Sequence, residues 1–452
     1  MDYIMIPSSL EGFSNAETEI VSAESGESKY IIRGDLEEKA GERICPVCGS
    51  VMHVRDSYET HLGHIPFGKA RSEVVFRSLR YGCRHCGHSE TQGCQFKSPR
   101  HRVTKEAEAY AKDILSYGLT VSAVSAITGL NRKLVKEIDK RRLEELYTEG
   151  GLRLRRPPQA RILGIDEFSL HKGHRYAVVI MDLETGHVLY LAKGRKKQTV
   201  YDFIDFVGEG WMDGVEAVAC DMNSDFQEAF EERCPHIQTV FDHFHIVQHF
   251  NREVVDKVRK DEQARLVKEG NTEGARSLKG SKYILMSTKG SRERKDVEAS
   301  EYHKPEPRPS IFGGKPKEKH GGYSRRYEDL IRENETFFSL DLVKERLSHA
   351  YKLADEVEMG DEICWIMDFC QESGNSHLQR FGKMLDRHWE GIVAHGYYRI
   401  SSGRVEGVNN LIKTVRRQGY GYRDDDYFFL KIMDASRRTN TSERESRKVM
   451  SA

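Results

Sequence analysis

Three acidic residues, far apart in the chain, stand where a carboxylate can hold a divalent cation. They are Asp166 in RILGIDEFSL, Asp221 in VEAVACDMNSDF and Glu406 in SGRVEGVNNLIKTVRR. The first two lie at or near the ends of apolar, β-branched runs, and the third opens a basic amphipathic pattern. Carboxylate oxygen is the preferred protein ligand of Mg²⁺, and the ion keeps several waters, so two or three carboxylates suffice. A pair of such ions about 4 Å apart can activate a nucleophile and stabilise a leaving oxygen in in-line attack on a phosphodiester. A lone Asp at a strand end is more often a turn residue or a helix cap, so the reading requires the acids to converge. Glu167 competes with Asp166, but strand alternation puts the two on opposite faces. Asp225 competes with Asp221 but reads as part of the following helix. Asp242, His243 and His245 cluster in FDHFH near the end of a strand, where they suit a site lining, a DNA contact or a packed core.

A second group of ligand-type residues lies nearer the start. Cys45-Pro-Val-Cys48-Gly and Cys83-Arg-His-Cys86-Gly are matched knuckles separated by 34 residues. Each puts two thiolates on one turn, with Gly where a left-handed backbone is often needed. Two knuckles can close a tetrahedral, structural Zn²⁺ site with no open position for chemistry, although the separation exceeds the usual spacing window. Two incidental or redox turns are the bland alternative. A site using His53, His61, His64, His85 or His88 in place of one cysteine is a further one.

These residues need elements to bring them together. From 161 the pattern gives strand RILGIDEFS, strand RYAVVIMDL, strand HVLYLAKGR, helix QTVYDFIDFVGEG, strand VEAVACDM, helix NSDFQEAFEER and strand HIQTVFDHFH. Three strands with hairpin-length connections, then helix, strand, helix, strand, is the order of a ribonuclease H-like α/β fold. In that fold the first and fourth strands lie side by side, so Asp166 and Asp221 would converge. Glu406 would join them from a helix with Val405, Val408, Leu411, Ile412 and Val415 on or near one side, the side that packs on the sheet. Between Asp221 and Glu406 lie 184 residues, which implies a mostly helical insertion over 251–395, with a polar Gly- and Pro-containing break near 287–323.

Ahead of this core, TKEAEAYAKDILSYG, TVSAVSAITG and LNRKLVKEIDKRRLEELY read as three helices. Gly118 and Gly129 sit where helices stop, and Asn131 is placed to cap the third. Val121, Val124, Ile127, Leu130, Leu134 and Ile138 supply an apolar face. A short helix, a Gly turn and a basic helix match a helix-turn-helix, with Arg132, Lys133 and Lys136 facing DNA. An ordinary helical hairpin with a solvated basic face is the alternative. The chain thus divides into an acidic flexible arm (1–40), a zinc ribbon-like domain (41–96), a helix-turn-helix (102–148), a catalytic core (161–250 with 396–440) and the helical insertion.

Lys and Arg number 71, Asp and Glu 71, giving formal net charge zero. The charge is unevenly spread: residues 1–40 hold nine acids against three bases. Bases gather around 193–197 and in KTVRR, which makes Lys196, Lys197, Lys413, Arg416 and Arg417 candidate phosphate contacts. Asp424 to Asp426 read as a solvated acidic turn. No apolar run approaches a membrane span, and the start lacks the pattern of a secretory signal. A cytoplasmic, nucleoid-associated protein is expected.

Taken with CPVCG, CRHCG, GIDEFS, ACDMNSDF, VFDHFHIVQHFN and RVEGVNNLIKTVRRQGYGYR, the chain resembles DDE transposases of prokaryotic insertion sequences, within them the ISL-three family, over roughly residues 41–440. The resemblance implies that Asp166, Asp221 and Glu406 form the metal-binding triad for Mg²⁺ or Mn²⁺. It also implies that the substrates are double-stranded transposon ends, with their terminal inverted repeats, and target DNA. Water would attack first, exposing a 3′-hydroxyl that then attacks the target. A homodimer or higher homo-oligomer would hold both ends. A sequence-specific DNA-binding regulator with an inactive core is the rival reading, and the presence of an acid at all three positions favours the enzyme.

Overall fold

The computed structural model describes residues 10–22, 28–37, 43–171, 173–194, 196–222, 224–301, 320–332, 334–400 and 402–450. Its contacts form two units, Met1–Arg155 with Leu411–Ala452, and Arg156–Asn410.

The first unit opens with a sheet of β1 (Phe13–Ser22), β2 (Ser28–Leu36), β3 (Met52–Phe67), β4 (Ala70–Cys83) and β5 (Ser89–Thr91). The order is β1-β2-β4-β3, with β5 also on β4. Within the segment expected as a loose arm, Phe13–Ser22 and Ser28–Leu36 are therefore strands. Its acids mask an alternating pattern that buries Ile32 and Leu36 with Leu62, Val74, Phe76 and Phe96. Phe13 packs edge-on against Phe76 and Phe96 at 6.3 and 5.4 Å between ring centroids. Gly34 makes room for it, since a Cβ there would meet the Phe13 ring at 2.6 Å. β2 runs parallel to β4, with Ile32 beside Val74, a pairing between distant segments that local patterning does not announce.

Three helices follow, α1 (Lys105–Ser116), α2 (Val121–Thr128) and α3 (Arg132–Tyr147). Thr104, Thr120 and Asn131 cap their N-termini with side-chain oxygens, and Gly129 ends α2 in the left-handed conformation at φ 70°. Their core is Val103, Ala107, Ala111, Leu115, Val124, Leu130, Val135 and Ile138. Leu134 packs at its edge, while Ile127 is exposed. His64 on β3 bonds the Thr104 hydroxyl at 2.9 Å, tying the sheet to the first helix cap. A two-residue ladder, β6 (Thr148–Glu149) with β7 (Arg153–Leu154), closes this segment.

The second unit holds β8 (Ile162–His171), β9 (Arg175–Asp182), β10 (Val188–Lys193), α4 (Lys197–Val207), α5 (Glu209–Met212), β11 (Ala217–Cys220), α6 (Ser224–Arg233), β12 (Gln238–Phe241) and α7 (His243–Phe250). The sheet order is β10-β9-β8-β11-β12. The first three strands are antiparallel, and β11 and β12 run parallel to β8. The expected adjacency of first and fourth strands is present. The last strand is shorter than expected: it ends at Phe241, and Asp242 stands at the N-cap of α7, so His243 and His245 are helical.

Helices then dominate: after a π-turn (Asn251–Val255) come α8 (Asp256–Lys268), α9 (Thr272–Ser277), α10 (Lys282–Met286), α11 (Lys289–Ser300), α12 (Tyr323–Arg332), α13 (Glu335–Ala350), α14 (Glu356–Glu372), α15 (Ser376–Arg387), α16 (Trp389–Val393) and α17 (His395–Tyr398). The polar break expected near 287–323 is partly helical, in α11, and 302–319 lie outside the described residues. These helices share one core with the sheet. Leu163, Ile165, Val218, Phe226 and Phe241 are continuous with Val343, Leu347, Ile363, Ile366, Phe381 and Ile392. Gly391 lets α16 approach β12, because a Cβ there would lie 2.5 Å from the Phe241 ring.

Two long helices finish the chain, α18 (Ser402–Gln418) and α19 (Asp425–Met450). The sequence reading groups 396–440 with the strands of 161–250, whereas the contacts place Leu411–Ala452 with the N-terminal unit. The cause is the packing of α19 on α3. Tyr427, Lys431 and Asp434 meet Asp139 and Arg142 through hydrogen bonds and ion pairs. Among the described residues no helix is long and apolar enough to cross a membrane.

Candidate metal centres and nucleic-acid contacts

The carboxylate site follows from strand register. Ala217, Val218 and Ala219 pair with Ile162, Leu163 and Gly164. Asp221 follows directly on the end of β11, and continuing the register by two residues brings it toward Asp166 of β8, close enough that its charge acts on the Asp166 carboxyl. Alternation turns Leu163, Ile165, Val218 and Cys220 into the shared core, and so turns Asp166 and Asp221 together to the opposite face. Both carboxylates fold back on the next amide: Glu167 N–H donates to Asp166 Oδ1 and Met222 N–H to Asp221 Oδ1, each at 2.7 Å.

The two differ in exposure. Asp166 is partly buried, and Asp221 is half exposed, with His245 Nδ1 3.3 Å from its Oδ1. Burial pushes the Asp166 carboxyl above the usual carboxylate range. Hydrogen bonds from Asn409 and the Glu167 amide and the charge of His245 oppose that, and the charge of Asp221 adds to it. A buried carboxyl raised by a neighbouring carboxylate is where a bound cation would relieve both effects. Oxygen is the only donor type the two acids offer, which fits Mg²⁺ or Mn²⁺.

Glu406 is exposed on α18. The same helix reaches the second unit's sheet at two points: Arg404 donates to the Glu184 carbonyl, and Asn409 donates through Nδ2 to Asp166 Oδ2. Glu406 lies one turn before Asn409, at the spacing that puts residues on the same side of a helix. Among the described residues, however, the only group of three or more His, Cys, Asp or Glu whose ligand atoms all lie within 4.8 Å is the four cysteines. Asp166 and Asp221 are brought together, and Glu406 is not closed onto them at that distance. Val408, Ile412 and Val415 of α18 are buried, as the amphipathic pattern requires. Sequence reasoning passed over Asn409; the signal available was an amide at i+3 from the candidate Glu.

Cys45, Cys48, Cys83 and Cys86 form that single group. Sγ of Cys45 lies 3.5 Å from that of Cys86, and Sγ of Cys48 lies 3.5 Å from that of Cys83. Four sulfurs each about 2.3 Å from a tetrahedral ion would stand at a similar mutual spacing. The knuckles repeat each other bond for bond. Cys45 N–H donates to Ser50 O at 2.8 Å and Gly49 N–H to Cys45 O at 2.9 Å; Cys83 N–H donates to His88 O at 2.7 Å and Gly87 N–H to Cys83 O at 3.0 Å. Gly49 and Gly87 take the required positive φ, 71° and 77°. The Ser50 hydroxyl and amide pull the Cys48 thiol down to about 5, while against the His88 amide the sulfurs of Cys48, Cys45 and Cys83, with desolvation, push the Cys86 thiol up to about 12, so without a cation the four sulfurs do not ionise alike. None of the five candidate histidines joins the group, and Cys94 stays outside it.

Of the expected phosphate contacts, Arg132 and Lys133 are exposed on the first turn of α3 and Lys196 on the N-cap of α4. Lys136 is exposed but leans toward Asp424 at 3.9 Å and over the Tyr427 ring at 5.3 Å. Lys197 is held between Glu228 at 2.5 Å and Glu232 at 2.9 Å. Lys413 and Arg417 are exposed, and Arg416 lies over the Phe428 ring at 5.4 Å. Arg195 lies outside the described residues. Asp424 is no idle turn residue, since it binds Lys140 at 2.9 Å and its carboxylate accepts from Tyr427 N–H at 3.1 Å at the start of α19.

A family model described as transposase, of the ISL3 DDE type, matches residues 163–432. The transposase for insertion sequence element IS1001 of Bordetella parapertussis is 26% identical over 403 residues, covering 88% of this chain and 90% of its own. The transposase for insertion sequence element IS1557 of Mycobacterium tuberculosis is 23% identical over 273 residues, covering 60% of this chain and 59% of its own.

Proposed function

Because the chain belongs to the ISL3 family of DDE transposases, we propose that it binds the terminal inverted repeats of an insertion sequence and catalyses metal-dependent DNA cleavage and strand transfer. The observation that carries this reading is the parallel register of β8 and β11, which, continued past the end of β11, brings Asp221 toward Asp166 in the middle of β8. The order and directions of the five strands fit a ribonuclease H-like core. The Cys45–Cys48–Cys83–Cys86 group fits a structural Zn²⁺ in a ribbon-like domain, and α1 to α3 fit a helix-turn-helix.

In this reading Asp166 and Asp221 hold a divalent cation from the sheet, and Glu406 approaches from α18. Bound there, Mg²⁺ or Mn²⁺ would supply Lewis-acid stabilisation of the attacking and leaving oxygens at phosphorus. Burial of Asp166 keeps water from competing for its oxygens, while the exposure of Asp221 leaves the site open to a phosphate backbone. His245, with Nδ1 3.3 Å from Asp221 Oδ1, orients that carboxylate. Arg132 and Lys133, with Lys196, Lys413 and Arg417, offer exposed cations for phosphates of end and target DNA. A homodimer or larger assembly is needed to hold two ends at once, and the setting is the bacterial cytoplasm with its nucleoid.

The test is cleavage and strand transfer on DNA carrying the element's own ends, with Mg²⁺ or Mn²⁺. Wild type is expected to cut and join. Asp166→Asn, Asp221→Asn and Glu406→Gln are each expected to bind the ends and lose both steps by at least about a thousandfold, the scale of losing transition-state charge stabilisation. Activity that survives removal of all three acids sinks the assignment. End binding by wild type with no cutting under any metal replaces the enzyme by a DNA-binding regulator.

A further inference from the structure

Asn409 of α18 touches a proposed metal ligand. Its Nδ2 donates to Asp166 Oδ2, while Asp166 Oδ1 is already occupied by the Glu167 amide. Asp166 is therefore held at both oxygens, in one rotamer. The other end of the carboxamide behaves differently, because Asn409 Oδ1 is buried and has no hydrogen-bond partner. A buried acceptor in that position bears the cost of desolvation with nothing to offset it. Turning the amide over does not help. It would set Oδ1 against the Asp166 carboxylate, acceptor against acceptor.

The orientation is thus determined: donor on the carboxylate, carbonyl oxygen unsatisfied beside it. Amide carbonyl oxygens are ordinary ligands of hard divalent cations, directly or through a coordinated water. Groups bonded to first ligands set their direction and so the affinity of the site. Glu406 stands one turn earlier on the same helix, so whatever fixes Asn409 to Asp166 also fixes the height of Glu406 over the sheet.

We infer that Asn409 is a positioning residue of the carboxylate site, with two tasks. Its amide locks the Asp166 carboxylate and sets α18 in register with β8. Its carbonyl oxygen supplies a further oxygen toward the cation held by Asp166 and Asp221. The inference rests on the metal-site reading above and goes beyond it by adding a neutral fourth group.

The experiment is a Mn²⁺ titration of the full-length protein without DNA, following free Mn²⁺ by electron paramagnetic resonance, with thermal unfolding of each variant with and without the ion. Asn409→Ala is expected to weaken the Mn²⁺ affinity by about 10- to 100-fold, the range for losing a group that orients a metal ligand, and cleavage should recover as the metal is raised. Asn409→Asp keeps the size and one oxygen but replaces the donor by a second anion facing Asp166. Its melting temperature should fall without metal and return with it, a rescue that a packing role does not produce. Asp166→Asn serves as the reference. If Asp166→Asn abolishes Mn²⁺ binding while both Asn409 variants titrate and melt as wild type, the role of Asn409 is overturned and the site stands. If Asp166→Asn also titrates as wild type, the metal site itself is wrong and the inference falls with it. Should Asn409→Ala fail to fold, Asn409→Asp decides alone.

Discussion

At the scale of single residues, exposure decides which cations can serve DNA. Arg132 and Lys133 follow the Asn131 cap on α3, and both are exposed. Arg132→Ala and Lys133→Ala are expected to weaken end binding and to lower the slope of log affinity against log salt by about one each, as for the loss of a phosphate contact. Binding isotherms from 50 to 200 mM salt check this; an unchanged slope removes α3 from the backbone contacts. The acids were legible as residue types on or next to strands, and Asp166 and Asp221 approach each other because β8 and β11 are parallel neighbours. Asn409 was not legible, because its meaning depends on a partner 243 residues earlier. Nor was the engagement of Lys197 by Glu228 and Glu232: a basic cluster read along the chain says nothing about the acids a neighbouring helix brings to it.

At the scale of elements, α3 and α19 show what the linear pattern concealed. Asp139 is fully buried on α3. Lys431 lies 2.9 Å and the Tyr427 hydroxyl 2.7 Å from its Oδ2, while Arg142 bonds its Oδ1 at 3.0 Å and reaches Asp434, also at 3.0 Å. Burial pushes the Asp139 carboxyl up, but Lys431, Tyr427 and Arg142 outweigh it and hold the acid below its ordinary value. Removing Asp139 leaves the buried Lys431 without its counter-charge and Arg142 with Asp434 alone, so Asp139→Asn is expected to cost about 3–5 kcal/mol. Because the native value is lowered, this stabilisation is complete above the unfolded value of roughly 3.9 and disappears as pH falls through the native one. Denaturant melts at pH 7 and below pH 4 should show the gap between wild type and variant closing in acid; a gap independent of pH would mean that Asp139 acts by shape alone. The helices themselves were readable from caps and apolar spacing, as Asn131 and Gly129 illustrate. The attachment of α19 to α3 was not, because both contributing faces are polar. The strands β1 and β2 escaped for a related reason: their charged side chains line the exposed face and conceal Ile32 and Leu36.

At the scale of the whole chain, a protein with 71 bases and 71 acids satisfies many of its charges internally, which is why few of the basic stretches are wholly available to nucleic acid. The sheet of β1 to β5 rests on a small apolar core around Phe76 and a separate cluster of Cys45, Met52, Tyr81 and Cys83, so metal at the four thiols would carry a sizeable share of its stability. One Zn²⁺ per chain is expected by elemental analysis. Cys83→Ser should lose it, and stripping with a strong chelator should lower the melting temperature of the N-terminal unit. Stoichiometric zinc retained by Cys83→Ser would remove the cysteines from the site. The family and the two-knuckle motif were legible from sequence alone; the sheet around the knuckles was not, since β2 and β4 pair across a long stretch of chain.

The long interval between the knuckles becomes simple once β3 and β4 are seen to fill it. Met52 pairs with Cys83 at one end of that hairpin and Phe67 with Ala70 at the other, so the two turns meet where the hairpin starts, however far away it ends. Adding or removing a cross-strand pair at the tip would alter the reach of the ribbon and leave the thiols where they are. The far half of that hairpin is itself built in, since β2 pairs along Arg71–Phe76 and His64 bonds Thr104, so one hairpin joins the thiols at its base to the first helix cap near its tip.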